Sequence, residues 1–291
     1  MITGSPANVL DFGAVGDGVT NDTSAIQAAL NSGAGQIYVP AGTYKIDSIV
    51  IPDGVSLFGD GPEATIFDGS SATYANLNNG CHILTEAGTA TAGNSLTALP
   101  SLASNVSQND RTLPLSSAPS ISDNDIVIIY NPTDYSWSGF RSYYRAGEMA
   151  RVASVSGSTI NMQGTLCDSY LAADVDLYKM DKKTTCSLSD FSLIGLSDTS
   201  NQVTGIFFRH AVDSSISNVK VTKCSYAQIN VRDSFSVQVL NSTAMEDFTN
   251  SFTGDYALAF LNTQNASVVG GYFASIRHAI TISGSDEVEI G

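Results

Sequence analysis

Carboxylates dominate the chemistry-bearing residues of this 291-residue chain, with 28 Asp and Glu against 13 Lys and Arg. The best local group is Glu246–Asp247 with Asp255, on the long polar stretch between Val239 and Leu258. Hydrolysis of a glycosidic bond ordinarily needs two carboxyl groups about 5 to 9.5 Å apart. Segments stacked at the ~4.8 Å spacing of β-strands can present such a pair. Glu246, Asp247 and Asp255 are therefore candidate catalytic residues, with Asp233, Lys220 and Lys223 as candidate neighbours. The competing reading is that acidic residues on polar turns of a chain with net charge −15 only dress the surface for solvent.

A second pattern is the triplet Arg-His-Ala, at Arg209–His210–Ala211 and again at Arg277–His278–Ala279. One member of an Arg-His pair can bind a uronate carboxylate while the other moves a proton. The alternative is a pair of satisfied turn or ladder residues. His278 precedes its apolar run and His210 follows its own, so the two are not expected to stack. His82, beside Cys81, is a weaker candidate.

The third pattern is an aromatic and basic island. Residues 135 to 145 hold Tyr135, Trp137, Phe140, Arg141, Tyr143, Tyr144 and Arg145, and Arg151 follows. Aromatic faces stack on the apolar faces of sugar rings, and arginine reaches hydroxyls or a carboxylate. Trp137, Tyr143, Tyr144, Arg141 and Arg145 are accordingly the candidate substrate-binding residues, against the alternative that they are packing residues covered by arginine stems.

Composition bounds the partners. So acidic a chain offers no broad basic face, which argues against nucleic acid. An acidic polysaccharide would be repelled at long range unless a local basic patch received it. Cys81, Cys167, Cys186 and Cys224 show no CxxC pair and no metal-ligand spacing, so they read as small buried hydrophobes, and no metal or cofactor is expected. No run approaches the ~18 apolar residues of a membrane helix, so no membrane insertion is expected. The opening residues lack the basic and apolar regions of a secretory leader. Asn-x-Ser/Thr sequons at Asn21, Asn105, Asn241 and Asn265 are expected by chance in a chain this rich in those residues.

The elements that must position these groups are almost all strands. Charged residues make up 14% of the chain, against roughly 25% in an average soluble protein, while hydrophobic residues make up 43%. One helix stands out: Asn21-Asp22-Thr23 offers a cap, Ala25, Ile26, Ala29 and Leu30 form an apolar stripe, and Gly33 a stop. Around it lie short strands, Val9–Gly13, Gln36–Val39, Thr43–Ile46, Ser48–Ile51, Val55–Phe58 and Thr65–Phe67, separated by Gly and Pro turns.

From residue 184 onward the apolar triplets Ile206–Phe208, Ile229–Val231, Leu258–Phe260 and Ile280–Ile282 recur at intervals of 23, 29 and 22 positions. Each is followed by a second alternation, aligned on Ile216, Val237, Val268 and Val288. Constant apolar columns with variable polar turns are the signature of a solenoid. Residues 90 to 180 break this pattern and read as a small antiparallel insertion, with strands at Arg111–Leu115, Asp125–Tyr130, Ala150–Val155, Ser158–Met162 and Val175–Tyr178.

The strings VLDFGAVGDGVTNDTSAIQAALN, IYVPAGTYKI and GVSLFGDGPEATIFDG, over residues 8 to 69, resemble the opening of the pectate-lyase-like superfamily. The insertion, with Tyr143-Tyr144-Arg145-Ala146-Gly147-Glu148, resembles that of bacteriophage tailspikes. The resemblance implies an all-β fold, a single-stranded right-handed parallel β-helix with an N-terminal capping helix and a small inserted β-rich subdomain. The expected organisation is residues 1–35 for the first strand and cap, 36–89 for the first coils, 90–180 for the insertion and 181–291 for further coils. Val288–Gly291 stops inside a strand pattern, which reads as a truncated end or as one that another chain covers.

The function implied is that of a tailspike-type protein, a homotrimer on the virion tail beside other tail proteins, or else extracellular. It would recognise and depolymerise a bacterial surface polysaccharide, capsule or lipopolysaccharide, by hydrolysis or β-elimination. A non-catalytic virion protein or adhesin, and a free polysaccharide hydrolase or lyase, stay open as alternatives. The NTD, DD, GHG and RIK strings of polygalacturonases are absent, and no calcium-holding aspartate set like that of pectate lyases can be mapped.

Overall fold

The computed structural model describes residues 5–89, 96–131, 146–245, 256–275, 277–284 and 286–291. The protein is mostly β and is built chiefly on parallel sheets. One sheet runs through Gln36–Tyr38, Val55–Phe58, Cys186–Ile194, Val212–Thr222, Phe235–Leu240, Gln264–Val269 and Asp286–Ile290. A second runs through Ile49–Ile51, Cys81–Thr85, Thr204–Arg209, Ala227–Arg232, Tyr256–Leu261 and His278–Ser283. From residue 204 onward the chain alternates between the two sheets, with the short strands Thr243–Met245 and Tyr272–Ala274 adding a second segment to the first sheet in two of the repeats.

The apolar triplets stand in register: Ile206 opposite Ile229, Ile229 opposite Leu258, and Leu258 opposite Ile280. The second alternation differs from the alignment read in the sequence. Ile216 lies opposite Val239, and Val239 opposite Val268, whereas Val237 lies opposite Ser214 and Val288 opposite Ala266. Two inward columns, two residues apart on the same strand face, had been merged into one. Ile206, Phe208, Ile229, Val231, Leu258 and Phe260 pack with Ile216, Val239 and Val268 in one buried core.

The corner that joins the second sheet to the first is fixed by backbone conformation. His210, Asp233, Asn262 and Gly284 all have left-handed φ, of 51°, 49°, 48° and 59°. Three residues later Asp213, Ser236, Asn265 and Glu287 do the same, at 51°, 58°, 52° and 51°. Asn, Asp and His tolerate this region better than other side chains, because short polar groups can bond locally. The corner is thus two stacked columns of left-handed residues.

Near the N-terminus the helix spans Thr23–Leu30 and buries Ile26, Ala29 and Leu30. Asp22 does not cap it through its side chain; its carboxylate instead accepts the backbone N–H of Val15 at 2.7 Å and of Gly16 at 3.1 Å. The C-cap is Asn31, two residues before Gly33. Val9–Phe12 is a 3-10 turn and not a strand, capped by the Asn8 side chain, which accepts from the Leu10 N–H.

Between the parallel strands lies an antiparallel sheet of Leu96–Ala98, Thr112–Pro114, Ile126–Asn131, Ala146–Ser156, Thr159–Met162 and Asp176–Met180. It has its own core, including Leu113, Val127, Val152, Ile160 and Leu177. On leaving it the chain resumes the stack directly: Cys186–Ile194 pairs with Val55–Phe58, with Leu188 opposite Leu57. The Ala87 N–H donates to Thr184 Oγ1 at 3.0 Å, so the two ends of the excursion touch. A satellite cluster of Ile126, Met149, Met180, Val212 and Phe235 seats the antiparallel sheet on the corner.

Candidate functional site

A cleft of about 230 Å³ opens where the antiparallel sheet faces the corner. One wall is Ile128–Tyr130 and Gly147–Met149 from two antiparallel strands; the other is the left-handed corner itself, with Arg209, His210, Arg232, Asp233, Asn262 and Gln264. These polar residues converge because successive repeats place the same corner position one above the next.

Asp233 sits at the centre of the polar wall. Its Oδ2 accepts from Arg209 Nε at 3.2 Å, and its Oδ1 accepts from Asn262 Nδ2 at 3.1 Å. Arg232 Nε lies 3.4 Å from the same Oδ2, but its N–H is not aimed for a hydrogen bond, so this contact is charge against charge. The Arg232 side chain is 44% exposed. Two guanidinium groups against one carboxylate leave this wall locally positive within an acidic protein.

His210 is buried, 2% exposed, yet its Nδ1 has no hydrogen-bond partner among the described residues. Burial holds the imidazole below its usual range; Asp233 opposes that shift, while Arg209 and Arg232 reinforce it. A buried polar atom without a partner is uncommon and calls for an explanation.

Across the cleft, Glu148 is buried and its oxygens accept the backbone N–H groups of Cys167, at 3.1 and 2.9 Å, and of Asp168, at 3.3 Å. Burial raises its carboxyl above the ordinary range, and those amide bonds offset part of the rise. Gln264 Nε2 reaches Cys167 Sγ at 3.4 Å and Glu287 Oε2 at 3.3 Å, linking the two walls. The Cys167 thiol is pushed up to about 12, first by burial and then by Glu148 and Glu287.

The sequence candidates distribute unevenly. Arg209, His210 and Asp233 come together in the cleft. Lys220 pairs instead with Glu63 at 3.0 Å, and Arg151 with Asp213 at 2.6 Å while lying over the Phe235 ring. Lys223 occupies a left-handed turn position. His278 opens its strand and stacks on Tyr256, with ring centroids 5.7 Å apart.

His82 is structural: Nδ1 donates to Asp47 O at 2.7 Å and Nε2 accepts from Leu196 N at 3.0 Å, which fixes its tautomer. Glu246, Asp247 and Asp255 lie outside the described residues, as do Trp137, Arg141, Tyr143, Tyr144 and Arg145. Arg232, Asn262, Gln264 and Glu148 were not singled out as site residues from sequence. The signal for Arg232 was its place directly after an apolar triplet, like that of Arg209, and for Asn262 its place two residues after one, like those of His210 and Asp233.

Among known proteins, residues 91–180 match the tailspike protein-like, Ig-like domain. Residues 7–127 match the rhamnogalacturonase A/epimerase, pectate lyase-like family, and residues 222–290 the Gp49, pectin lyase-like family. The tailspike gp61 of Pseudomonas phage phi297 superposes with a TM-score of 0.80 at 28% identity, covering 99% of this chain and 49% of that one. The tailspike gp49 of Pseudomonas phage LKA1 gives 0.79 at 27% identity, covering 97% and 50%. The chain is pectate-lyase-like and tailspike-like. This tailspike-like chain spans about half the length of those tailspikes. The gp54 tailspike of Acinetobacter baumannii bacteriophage AP22, solved in complex with A. baumannii capsular saccharide, shares the fold with a TM-score of 0.76 at 20% identity, covering 98% of this chain and 46% of that one. A mannuronan C5-epimerase of Azotobacter vinelandii is 41% identical over 85 residues, which is 24% of this chain and 15% of the epimerase.

Proposed function

We propose that this tailspike-like protein recognises and depolymerises a bacterial surface polysaccharide, bound in the cleft between the antiparallel sheet and the corner. The observation that carries the reading is the polar wall of Arg209, Arg232 and Asp233 around His210, whose Nδ1 has no partner among the described residues, in a tailspike-like fold. The alternation of the chain between two parallel sheets supports a single-stranded right-handed parallel β-helix. In this reading Thr23–Leu30 caps the first coil and residues 90–180 form the inserted subdomain. Residues 36–89 and 181–291 are then its coils. The tailspike relatives support a place on the virion tail; a homotrimeric assembly and contact with other tail proteins belong to the same proposal.

The segment 132–145 joins the two strands that wall the cleft, which end at Asn131 and begin at Ala146. Trp137, Arg141, Tyr143, Tyr144 and Arg145 are therefore proposed to stack on and hold the sugar. Glu246, Asp247 and Asp255, on the connection before Tyr256–Leu261, are the proposed carboxylates for a hydrolytic route. The test is incubation with purified capsular polysaccharide and lipopolysaccharide, following bound glycan and polymer mass by size-exclusion chromatography. Cleavage lowers the mass. Absence of both binding and cleavage across the panel overturns the reading.

A further inference from the structure

We infer that the edge of the second parallel sheet remote from the cleft is a second carbohydrate-binding surface, which holds uncharged sugar rings of the same polymer by stacking. It rests on the polysaccharide reading above, but on none of the residues of the cleft.

The strands of this sheet all begin at one edge, where each repeat presents a side chain of a type that meets sugars. In chain order these are Tyr74, Gln202, Tyr226, Tyr256 and His278, with Arg277 beside the last. Backbone bonds set them one above the next. The Thr204 N–H donates to Gly80 O, the Tyr226 N–H to Val203 O and the Tyr256 N–H to Tyr226 O, each at 2.9 Å, and Tyr256 lies opposite His278. Tyr74 joins the row because Gly80 has no side chain: a Cβ there would come within 3.2 Å of the Tyr74 ring and 3.0 Å of Gln202 O.

The row reaches solvent. Tyr74 is 39% exposed, Gln202, Arg277 and His278 are exposed, and Tyr226 and Tyr256 are half-buried. Tyr256 and His278 are parallel to within 10°, with ring centroids 5.7 Å apart. Rings stacked squarely in contact would be ~3.5–4.0 Å apart. These two are therefore offset, and each leaves part of a face clear. Tyr226 meets Tyr256 at 83° and 5.6 Å, so those two do not lie face on face. Arg277 Cζ is 5.7 Å from the Tyr256 centroid, which brings guanidinium donors to the row.

Aromatic faces stack on the apolar faces of sugar rings, and Gln and Arg donate to the hydroxyls around them. None of the six side chains is acidic, and Arg277, against Tyr256, is the single permanent charge among them, so the row fits uncharged rings. Successive rungs advance it by ~4.8 Å, about one sugar ring per rung. Tyr256 stands five residues before Leu261, which lies opposite Arg232 of the cleft wall. At ~3.3 Å per residue the row is roughly 17 Å from the cleft. A long polymer that occupies the cleft meets the row as an intramolecular contact, whereas a short fragment fills one site at a time.

The test compares long and short ligands on the intact chain. Wild type, Tyr256→Leu/His278→Ser and Tyr74→Ser/Arg277→Gln are titrated with purified capsular polysaccharide and lipopolysaccharide, and with short oligosaccharides released from each by mild acid. Melting temperature is recorded for every variant. Y256L/H278S keeps apolar bulk but removes both rings; should it melt lower than wild type, Y74S/R277Q, which changes exposed side chains, decides. Each variant is expected to weaken binding of the long polymer at least about ten-fold and of the short oligosaccharides by less than about two-fold. The difference should survive high salt, because stacking on uncharged rings is not screened. Unchanged polymer affinity in a variant that melts as wild type does, equal loss on long and short ligands, or a difference that salt removes overturns the inference and leaves the cleft reading standing. Wild type that binds none of the polymers removes both.

Discussion

Arg151 of the antiparallel sheet and Asp213 of the corner meet at 2.6 Å, and the same guanidinium lies 5.2 Å from the centre of the Phe235 ring. One side chain therefore ties the two walls of the cleft to each other. Its partner Asp213 is 51% exposed, so water screens the ion pair. Arg151→Ala is expected to cost about 0.5–1.5 kcal/mol in all, from a weak pair plus the cation–π contact. A double-mutant cycle with Asp213→Ala should give a coupling below about 1 kcal/mol by chemical denaturation. A larger coupling would mean that the pair is shielded from solvent.

His82 differs from His210 in having both ring nitrogens bonded. Removing its ring strands Asp47 O and Leu196 N inside the protein, and His82→Ala is expected to lose about 2–4 kcal/mol of stability. Burial holds this imidazole below its usual range, so the wild type loses stability as pH falls through the unfolded-state value near 6.5. H82A should lack that acid limb in denaturation measured from pH 5 to 8.

Asp233 separates side-chain chemistry from backbone shape. Asn and Val both remove its charge, but Val is β-branched and its φ of 49° is then strained. Asp233→Val is expected to be less stable than Asp233→Asn by about 1–2 kcal/mol. Equal melting temperatures would show that the corner relaxes out of the left-handed region.

Glu148 carries a pH signature of the reverse sign to an ion-paired carboxylate. Its folded-state value lies above the ordinary 4.5, chiefly through burial, so the folded protein holds a proton that the unfolded chain has lost. Its contribution is fully present below the unfolded value and disappears as pH rises through the folded one. Denaturation of wild type against Glu148→Gln should show wild type losing relative stability as pH rises from 4 toward 7. A flat difference would place the carboxyl in contact with water.

Much of this architecture was legible in the sequence because inward columns must be apolar in every repeat. Ile206, Ile229, Leu258 and Ile280 could be aligned by eye for that reason. The second column was misaligned because Ser214 and Ala266 occupy inward positions where large apolar residues were sought. Val9–Phe12 has strand-like composition, yet Asn8 bonds forward to Leu10 and tightens it into a turn. Part of the site was legible as residue types, with His210 and Asp233 both noted, but not as a place. Their adjacency depends on a corner whose mark is backbone conformation, carried by Asn, Asp and His at positions that look like ordinary polar turn. Glu148 could not be paired with them from sequence, since the contact joins an excursion to the stack at long range.

The bond from Ala87 to Thr184 makes the excursion a closed detour: the chain departs and returns at a single point. Such a detour is a cassette. Replacing residues 90–182 by a short Gly-Ser bridge would leave Leu57 beside Leu188 and the rungs unbroken, while deleting one wall of the cleft. The same join would accept a different cassette, so the chain's specificity could be exchanged without rebuilding its scaffold.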